Sequence, residues 1–221
     1  MSKPIAIDIY SDAVCPWCYL GKRRLEAALR MRPDLVATVR WKPFELNPDL
    51  PPEGADRATY IAAKFGDSAR FAAAQAKLVE LGGEVGIAFR FGQIARVPNT
   101  RAAHALVALA GEHADAVVEV IFAAYFERGE DIGELDVLAG VANVAGLDGT
   151  ALRTRLAARE GFAEVEADEA VGRELGISGV PFFVLAGRWA LSGAQEPAQI
   201  IAALEQVRDT LAREQGTTAL R

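Results

Sequence analysis

The sequence is poor in the residues on which several classes of protein depend. Its 221 residues include two cysteines and two histidines, and acidic residues outnumber basic ones, so that the net charge is −6. Two cysteines cannot make a framework of structural disulfides. Nucleic acids are bound through clustered Lys and Arg, so the negative charge argues against a nucleic-acid partner. No apolar run approaches the roughly 20 residues of a membrane-spanning helix, and we expect no membrane partner.

The first residues also lack the marks of a secretory signal. A basic stretch, a long apolar run and a small-residue cleavage site do not follow Met1. We therefore expect a cytoplasmic protein, in which an isolated pair of cysteines indicates redox or metal chemistry more than a structural disulfide. Hydrophobic residues make up 51% of the chain and charged residues 24%, which is typical of a globular protein with a substantial core.

The beginning of the chain has a strand-helix-strand pattern. Residues 4–10 alternate and are β-branched, residues 16–31 repeat apolar residues at helical spacing, and residues 35–44 return to an extended pattern. This order predicts two parallel strands joined through a helix by a right-handed crossover.

The rest of the chain adds helices and then two more strands. After a proline-rich linker at residues 47–54, residues 56–175 predict a series of helices separated by short breaks, most of which contain glycine. Residues 182–186 and 189–191 predict two strands around a tight turn, and a last helix follows over about 196–212. The two ends together predict a small α/β sheet that the helical stretch interrupts.

The two cysteines stand where the first strand gives way to the first helix, in the order Cys15-Pro16-Trp17-Cys18. Pro16 lacks an N–H and suits the first helical turn, so the sulfur of Cys15 is expected to face the free amides of Trp17 and Cys18. These amides and the helix dipole favour a thiolate over a thiol. Because Cys18 follows one turn later, the spacing favours a disulfide in which Cys15 is the nucleophile and Cys18 the resolving thiol.

Half of a zinc site is the alternative for this pair. Zinc takes four ligands, commonly from two Cys-x-x-Cys pairs or from one pair with two histidines. The chain has no second cysteine pair, and His104 and His113 stand too far apart for the usual spacing. We therefore predict no metal site and interpret both histidines as surface or helix-capping residues. Trp17 is expected to be exposed beside the cysteines as an aromatic contact for substrates.

These segments resemble the DsbA branch of the thioredoxin superfamily. Residues 11–21 carry its strand-Cys-Pro-Trp-Cys-helix opening, and residues 176–184 resemble its cis-proline loop. Residues 98–104, 124–126 and 192–195 also match the cytosolic FrnE-like group of DsbA-like proteins. This group is related to kappa-class glutathione transferases and to 2-hydroxychromene-2-carboxylate isomerases.

The resemblance implies an α/β protein, with a thioredoxin fold that carries a large all-helical insertion between its βαβ and ββα halves. The first half would occupy residues 1–50, the insertion residues 51–175 and the second half residues 176–221.

The resemblance also implies a substrate-binding surface around the cysteines. The Val180–Pro181 bond is expected to be cis and to pack against the disulfide, which would leave the backbone of Val180 free to pair with an extended substrate. Pro16, Trp17, Val180 and Pro181 are therefore the predicted substrate-binding residues.

Four further residues are candidates for supporting roles. A carboxylate beneath the cysteines would move protons to and from Cys18, and the candidates are Asp8 in the first strand and Asp12 in the following loop. The alternatives are a solvent-facing strand residue for Asp8 and a turn or cap for Asp12. Ser192 and Gln195 either cap the last helix or bind a carboxylate of glutathione or a peptide, because a helix start attracts anions.

The implied function is a thiol–disulfide oxidoreductase whose redox-active disulfide is its own, with no bound cofactor. Its partners would be thiol or disulfide substrates, protein or small molecule, with glutathione as a candidate co-substrate. A glutathione-dependent isomerase or transferase is the alternative, although those relatives carry a serine at the position of Cys15. A holdase-like binding protein with apolar surface around Trp17 and Pro181 is a third. The direction of the reaction and the choice between monomer and homodimer stay open.

Overall fold

The computed structural model describes residues 4–66 and 69–218. Numbered in chain order, the strands within these ranges are β1 (Ile5–Ser11), β2 (Ala37–Pro43), β3 (Ala55–Asp56), β4 (Arg96–Val97), β5 (Phe182–Leu185) and β6 (Trp189–Ser192). The α-helices within the same ranges are α1 (Pro16–Met31), α2 (Arg57–Phe65), α3 (Ala69–Glu84), α4 (Arg101–Leu109), α5 (Ala114–Arg128), α6 (Leu135–Val144), α7 (Gly149–Ala157), α8 (Phe162–Glu174) and α9 (Pro197–Thr218).

The central sheet has four strands in the order β2-β1-β5-β6. β1 runs parallel to β2, which confirms the predicted βαβ unit, and antiparallel to β5. Tyr10 of β1 lies opposite Phe182 of β5. Because the strands are antiparallel, the loop that follows Ser11 and the loop that precedes Phe182 leave the sheet at the same end of the strands.

One face of the sheet packs against α1 and α9. The odd-numbered residues of β1 point to this face because side chains alternate along a strand, and the same core takes apolar residues from both helices. Its buried members include Ile5, Ile7, Ile9, Leu25, Ala28, Ile200, Leu204 and Val207.

Helix α1 has the predicted bounds. Pro16 occupies its first turn and Arg32 is its C-cap, immediately before Pro33. Proline fits the first turn because the N–H that it lacks has no partner inside the helix.

The insertion between β2 and β5 has its own core, which reaches the cysteines. This core takes apolar side chains from α3 to α8 and also includes Cys15, Cys18 and Tyr19. The cysteine pair therefore lies at the boundary between the central sheet and the helical insertion.

The insertion is helical except for one short ladder, so the prediction of an all-helical insertion was wrong in this detail. β3 pairs antiparallel with β4, with Ala55 opposite Val97 and Asp56 opposite Arg96. Gly54 precedes the ladder at φ +69°, and a Cβ there would lie 2.4 Å from the Val97 carbonyl oxygen. Two-residue strands are too short to show an alternating pattern, and this is why the sequence did not reveal them.

The predicted boundaries at residues 50 and 175 fall between these elements, and the division into three segments stays a prediction. Within the ranges that the structure describes, no helix is both long enough and apolar enough to cross a lipid bilayer.

Candidate active site

Cys15 is the residue that begins helix α1. It is the N-cap of the helix, its backbone N–H donates to the Asp12 carbonyl at 3.0 Å, and its own carbonyl accepts from the Cys18 N–H at 3.0 Å. Cys15 is 5% exposed and Cys18 is 1% exposed. The first thiol therefore lies near the surface at the helix start, and the second lies behind it in the core.

The thiol of Cys15 faces the loop before β5. Its Sγ donates to the carbonyl oxygen of Val180 at 3.6 Å, and the Val180–Pro181 peptide bond is cis. No hydrogen bond joins the sulfur to the amides of the first turn, which differs from the predicted orientation. A protonated thiol is a donor and so turns to a carbonyl, whereas amide N–H groups would attract the thiolate.

A glycine in α1 lets this loop approach closely. A Cβ on Gly21 would lie 3.0 Å from Cγ of Pro181 and 3.5 Å from the ring of Phe183. On its far side, the Pro181 carbonyl accepts from the Gly193 N–H at 2.8 Å. The proline is therefore held between α1 and the end of β6.

Burial dominates the chemistry of the second thiol. It raises the pKa of Cys18 well above the ordinary value of 9.0, and the neighbouring Cys15 raises this pKa further. The Ser11 side chain and the Asp12 backbone act in the opposite direction but do not overcome burial. Cys18 is therefore a thiol at neutral pH, and it must lose a proton before it can attack a disulfide.

Asp12 lies in the loop beside the cysteines with no exposed surface. Its Oδ2 accepts from the Leu46 N–H at 2.7 Å, and its Oδ1 lies 3.4 Å from Nε2 of His104. His104 is 8% exposed, so its interpretation as a surface or capping residue was wrong. It projects from a stretch of α4 in which residues 103–106 are all buried, and this apolar context was the signal that could have placed it inside.

The other acid that we predicted, Asp8, is held by a neighbouring strand. Its carboxylate forms a two-pronged ion pair with Arg40 of β2, with Nη2 and Oδ2 2.9 Å apart. The structure therefore brings Asp12 to the cysteine loop and pairs Asp8 elsewhere on the sheet.

Ser192 and Gln195 lie at the end of β6 and in the turn before α9. The side-chain amide of Gln195 donates to the Ser192 carbonyl at 2.7 Å, which closes this turn. Nearby, the buried Arg24 of α1 donates to the Ala194 carbonyl at 2.6 Å and pairs with Glu196. These contacts tie the turn to the same helix that carries the cysteines.

A pocket of about 340 Å³ opens beside Cys15. Cys15, Pro16 and Trp17 form one wall, and helices α2 and α3 of the insertion form the opposite wall. Trp17 is 39% exposed, in agreement with its predicted position beside the cysteines. The polar groups of the far wall, which include Arg57 and Lys64, carried no signal in the sequence because the pocket joins segments that are distant along the chain.

Comparison with known proteins agrees with this arrangement. The sequence model of the DSBA-like thioredoxin domain matches residues 6–205. A crystal structure of the probable DsbA oxidoreductase of Streptomyces coelicolor is 34% identical, with a TM-score of 0.82, and the match covers 91% of this chain and 89% of that one.

Two more distant structures share the fold. A 2-hydroxychromene-2-carboxylate isomerase is 20% identical with a TM-score of 0.68, over 96% of this chain and 98% of that one. The cytosolic disulfide reductase DsbM of Pseudomonas aeruginosa, determined with GSH, is 18% identical with a TM-score of 0.60, over 95% of this chain and 98% of that one. With a family match over most of its length and a cysteine pair at the start of α1 beside Pro181, this chain belongs to the DSBA-like thioredoxin domain family.

Proposed function

We propose that the protein is a thiol–disulfide oxidoreductase in which Cys15 is the nucleophile and Cys18 the resolving thiol. The observation that carries the proposal is the asymmetry of the pair: the Cys15 sulfur lies at the helix start, on the wall of an open pocket, whereas Cys18 is closed off in the core. A helix N-terminus stabilises the thiolate that attacks a disulfide.

In the reducing direction the reaction has two steps. The Cys15 thiolate attacks one sulfur of a substrate disulfide, so that a mixed disulfide forms and one substrate thiolate leaves. Cys18 then loses its proton and attacks Sγ of Cys15, which releases the second substrate thiolate and leaves the Cys15–Cys18 disulfide. Two electrons pass from the dithiol to the substrate, and the reverse sequence oxidises a substrate dithiol.

The surrounding residues have proposed supporting roles. Val180 and Pro181 would hold the substrate chain beside Cys15, with Pro16 and Trp17 as further contacts. Asp12 is the better placed of the two acids to accept the proton of Cys18, because it lies in the adjoining loop and Asp8 is held by Arg40. Ser192 and Gln195 stay candidates for contact with a substrate carboxylate.

The test compares the wild-type protein with Cys15→Ser and Cys18→Ala. Each is assayed for reduction of insulin disulfides and for oxidative refolding of a reduced substrate protein. We expect Cys15→Ser to abolish both activities, and Cys18→Ala to accumulate a mixed disulfide that a reducing agent releases. Full activity of Cys15→Ser in both assays would refute the proposal.

The second candidate is a glutathione-dependent isomerase or transferase, and the shared fold of 2-hydroxychromene-2-carboxylate isomerase favours it. Glutathione as a co-substrate is also in line with the DsbM structure determined with GSH. Glutathione conjugation that survives in Cys15→Ser would identify a transferase. Suppression of client aggregation that survives loss of both cysteines would identify a holdase. The cytoplasmic localisation and the choice between monomer and homodimer stay predictions.

A further inference from the structure

The pocket beside Cys15 has a charge opposite to that of the whole protein. Among the described residues that line it are two cations, Arg57 and Lys64, and no Asp or Glu. The chain as a whole carries a net charge of −6. Within the part of the chain that the structure describes, the charged side chains beside Cys15 are therefore cationic, and they attract anions to this pocket of an acidic protein.

Of the two cations, Arg57 has fewer polar partners among the described residues. It lies in the first turn of α2, half-buried, and its guanidinium has no ion pair or side-chain hydrogen bond with any residue in the described ranges 4–66 and 69–218. Burial lowers the pKa of Arg57, and the Tyr125 hydroxyl only partly offsets this. A partly desolvated guanidinium without a partner is costly, and a carboxylate would pair with it in two-pronged geometry.

Lys64 supplies a second, more firmly held cation. Its Nζ lies 2.9 Å from Oδ1 of Asn47 and also contacts the hydroxyl of Tyr60. These partners are neutral, so the charge of Lys64 is oriented but not cancelled. Because Asn47 follows β2 and Tyr60 lies in α2, the contacts also hold α2 against the loop that follows β2.

The remaining walls are apolar and include several aromatic rings beside aliphatic side chains. Phe65 and Phe71 stack with ring centroids 4.8 Å apart, and Phe91, Phe126 and Trp17 line the same space. A volume of about 340 Å³ suits a small molecule, and aromatic walls favour a flat ring in stacked or edge contact.

We propose that this pocket selects small disulfides or thiols that carry both an aromatic ring and a carboxylate, with Arg57 as the specificity-determining residue. The inference rests on the exchange chemistry proposed above for Cys15. In this arrangement the ring lies between Trp17 and the Phe65–Phe71 pair, the carboxylate pairs with Arg57, and the sulfur reaches Cys15.

The probe is 5,5′-dithiobis(2-nitrobenzoate), an aromatic disulfide with one carboxylate on each ring. The Cys15 thiolate attacks one sulfur and releases one coloured thiolate, and Cys18 then attacks the mixed disulfide, releases the second, and leaves the Cys15–Cys18 disulfide. The neutral comparison probe is 4,4′-dithiodipyridine, which undergoes the same two steps without a carboxylate.

The experiment measures the rate constant of reduced protein with each probe at constant ionic strength. We expect Arg57→Gln to lower the rate constant about tenfold for the carboxylate probe, as the loss of one charge-assisted contact does, and to leave the neutral probe within about twofold. Arg30→Gln is the matched control, because Arg30 is exposed in the last turn of α1 and does not line the pocket. A loss that is equal for both probes, or no loss for the carboxylate probe, would overturn the proposal.

Oxidised glutathione tests the aromatic part, since it has carboxylates but no ring. Each rate constant is divided by that of free dithiothreitol with the same disulfide, which removes intrinsic reactivity. We expect the normalised value to be higher for the aromatic probe. A higher normalised rate constant for oxidised glutathione would contradict the preference for an aromatic ring and would indicate a polar peptide as the substrate.

A binding measurement separates this inference from the proposed function. In Cys15→Ser, calorimetry with 4-nitrobenzoate measures the pocket without disulfide chemistry. We expect binding that a second change, Arg57→Gln, weakens about tenfold. If wild-type protein fails to exchange disulfides yet this binding holds, the proposed function fails and the pocket assignment stands. If exchange holds and no binding is found, the pocket assignment fails alone.

Discussion

At the scale of single residues, the two thiols have different surroundings although they are close together in the sequence. One helical turn divides them, yet Cys15 borders a pocket and Cys18 is enclosed by the core. Exchange reactions need this division, because the outer sulfur must meet substrate and the inner sulfur must meet only the mixed disulfide.

The raised pKa of Cys18 predicts how the reduced protein responds to alkaline pH. The fold favours the thiol, so the stabilisation is complete below the ordinary pKa of 9.0 and is lost as pH rises through the higher pKa of the folded state. We expect the free energy of unfolding of the reduced wild-type protein to fall more between pH 8 and 11 than that of Cys18→Ala. Urea unfolding in the presence of a phosphine reductant measures this difference.

Tyr10, Tyr19 and Tyr125 also have a raised pKa, but both proteins contain them, so their effect cancels in the comparison. Parallel pH profiles for the two proteins would show that Cys18 does not cause the alkaline loss.

Asp12 and Asp8 offer a matched pair for the proton transfer. We expect Asp12→Asn to slow the resolving step about a hundredfold, which is the usual scale for loss of a positioned acid or base, and to accumulate mixed disulfide near neutral pH. Asp8→Asn is expected to leave the rate within about twofold because Arg40 holds that carboxylate away from the exchange. Quenched-flow trapping of the mixed disulfide measures both variants, and equal effects would exclude a special role for Asp12.

At the scale of elements, helix α1 presents different faces to three neighbours. Leu25 and Ala28 pack on the sheet, Tyr19 enters the core of the insertion, and Gly21 lies against the loop of Pro181. One helix therefore sets the positions of both the cysteines and the loop opposite them.

The close approach at Gly21 predicts a defect that helix propensity alone would not. Alanine is the better helix former by about 1 kcal/mol, but its methyl would lie 3.0 Å from Pro181. We expect Gly21→Ala to lower the free energy of unfolding by about 1 kcal/mol through over-packing, and to slow disulfide exchange because the loop is displaced from Cys15.

Gly140→Ala is the matched control, since Gly140 lies within α6 and a Cβ there meets nothing within 4 Å. We expect this change to raise the free energy of unfolding by about 0.5–1 kcal/mol without effect on exchange. Stabilisation by both changes would contradict the proposed contact.

At the scale of the whole molecule, Tyr19 anchors helix α1 in the core of the insertion. Its ring stacks on Phe122 with centroids 5.0 Å apart, and its hydroxyl lies 2.9 Å from a carboxylate oxygen of each of Glu119 and Glu127. Arg23 contacts Glu119 at 2.6 Å, so the hydroxyl belongs to a partly buried polar network.

We expect Tyr19→Phe to lower the free energy of unfolding by about 1–3 kcal/mol, because the half-buried carboxylates of Glu119 and Glu127 lose the donor that they share. Tyr19→Ala is expected to cost about 3–5 kcal/mol, since it also removes the ring from the core. Denaturant unfolding followed separately by far-UV circular dichroism and by tryptophan fluorescence measures both changes. An unchanged midpoint for Tyr19→Phe would show that the hydroxyl contributes nothing.

Local patterns predicted the elements around the cysteines well. The bounds of α1 followed from apolar spacing and from Pro16, and the parallel pair β1–β2 followed from the strand-helix-strand order. The same patterns did not predict the burial of His104 or the pairing of Asp8 with Arg40. Each depends on a contact between segments that are distant in the sequence. The pocket was missed for the same reason.

The walls of the pocket come from separate parts of the chain. Cys15, Pro16 and Trp17 come from the thioredoxin half, whereas Arg57, Lys64 and the Phe65–Phe71 pair come from one continuous stretch of the insertion. Under the proposed pocket assignment, replacing residues 57–71 with the matching segment of a relative is expected to change the preferred substrate while the dithiol stays unaltered.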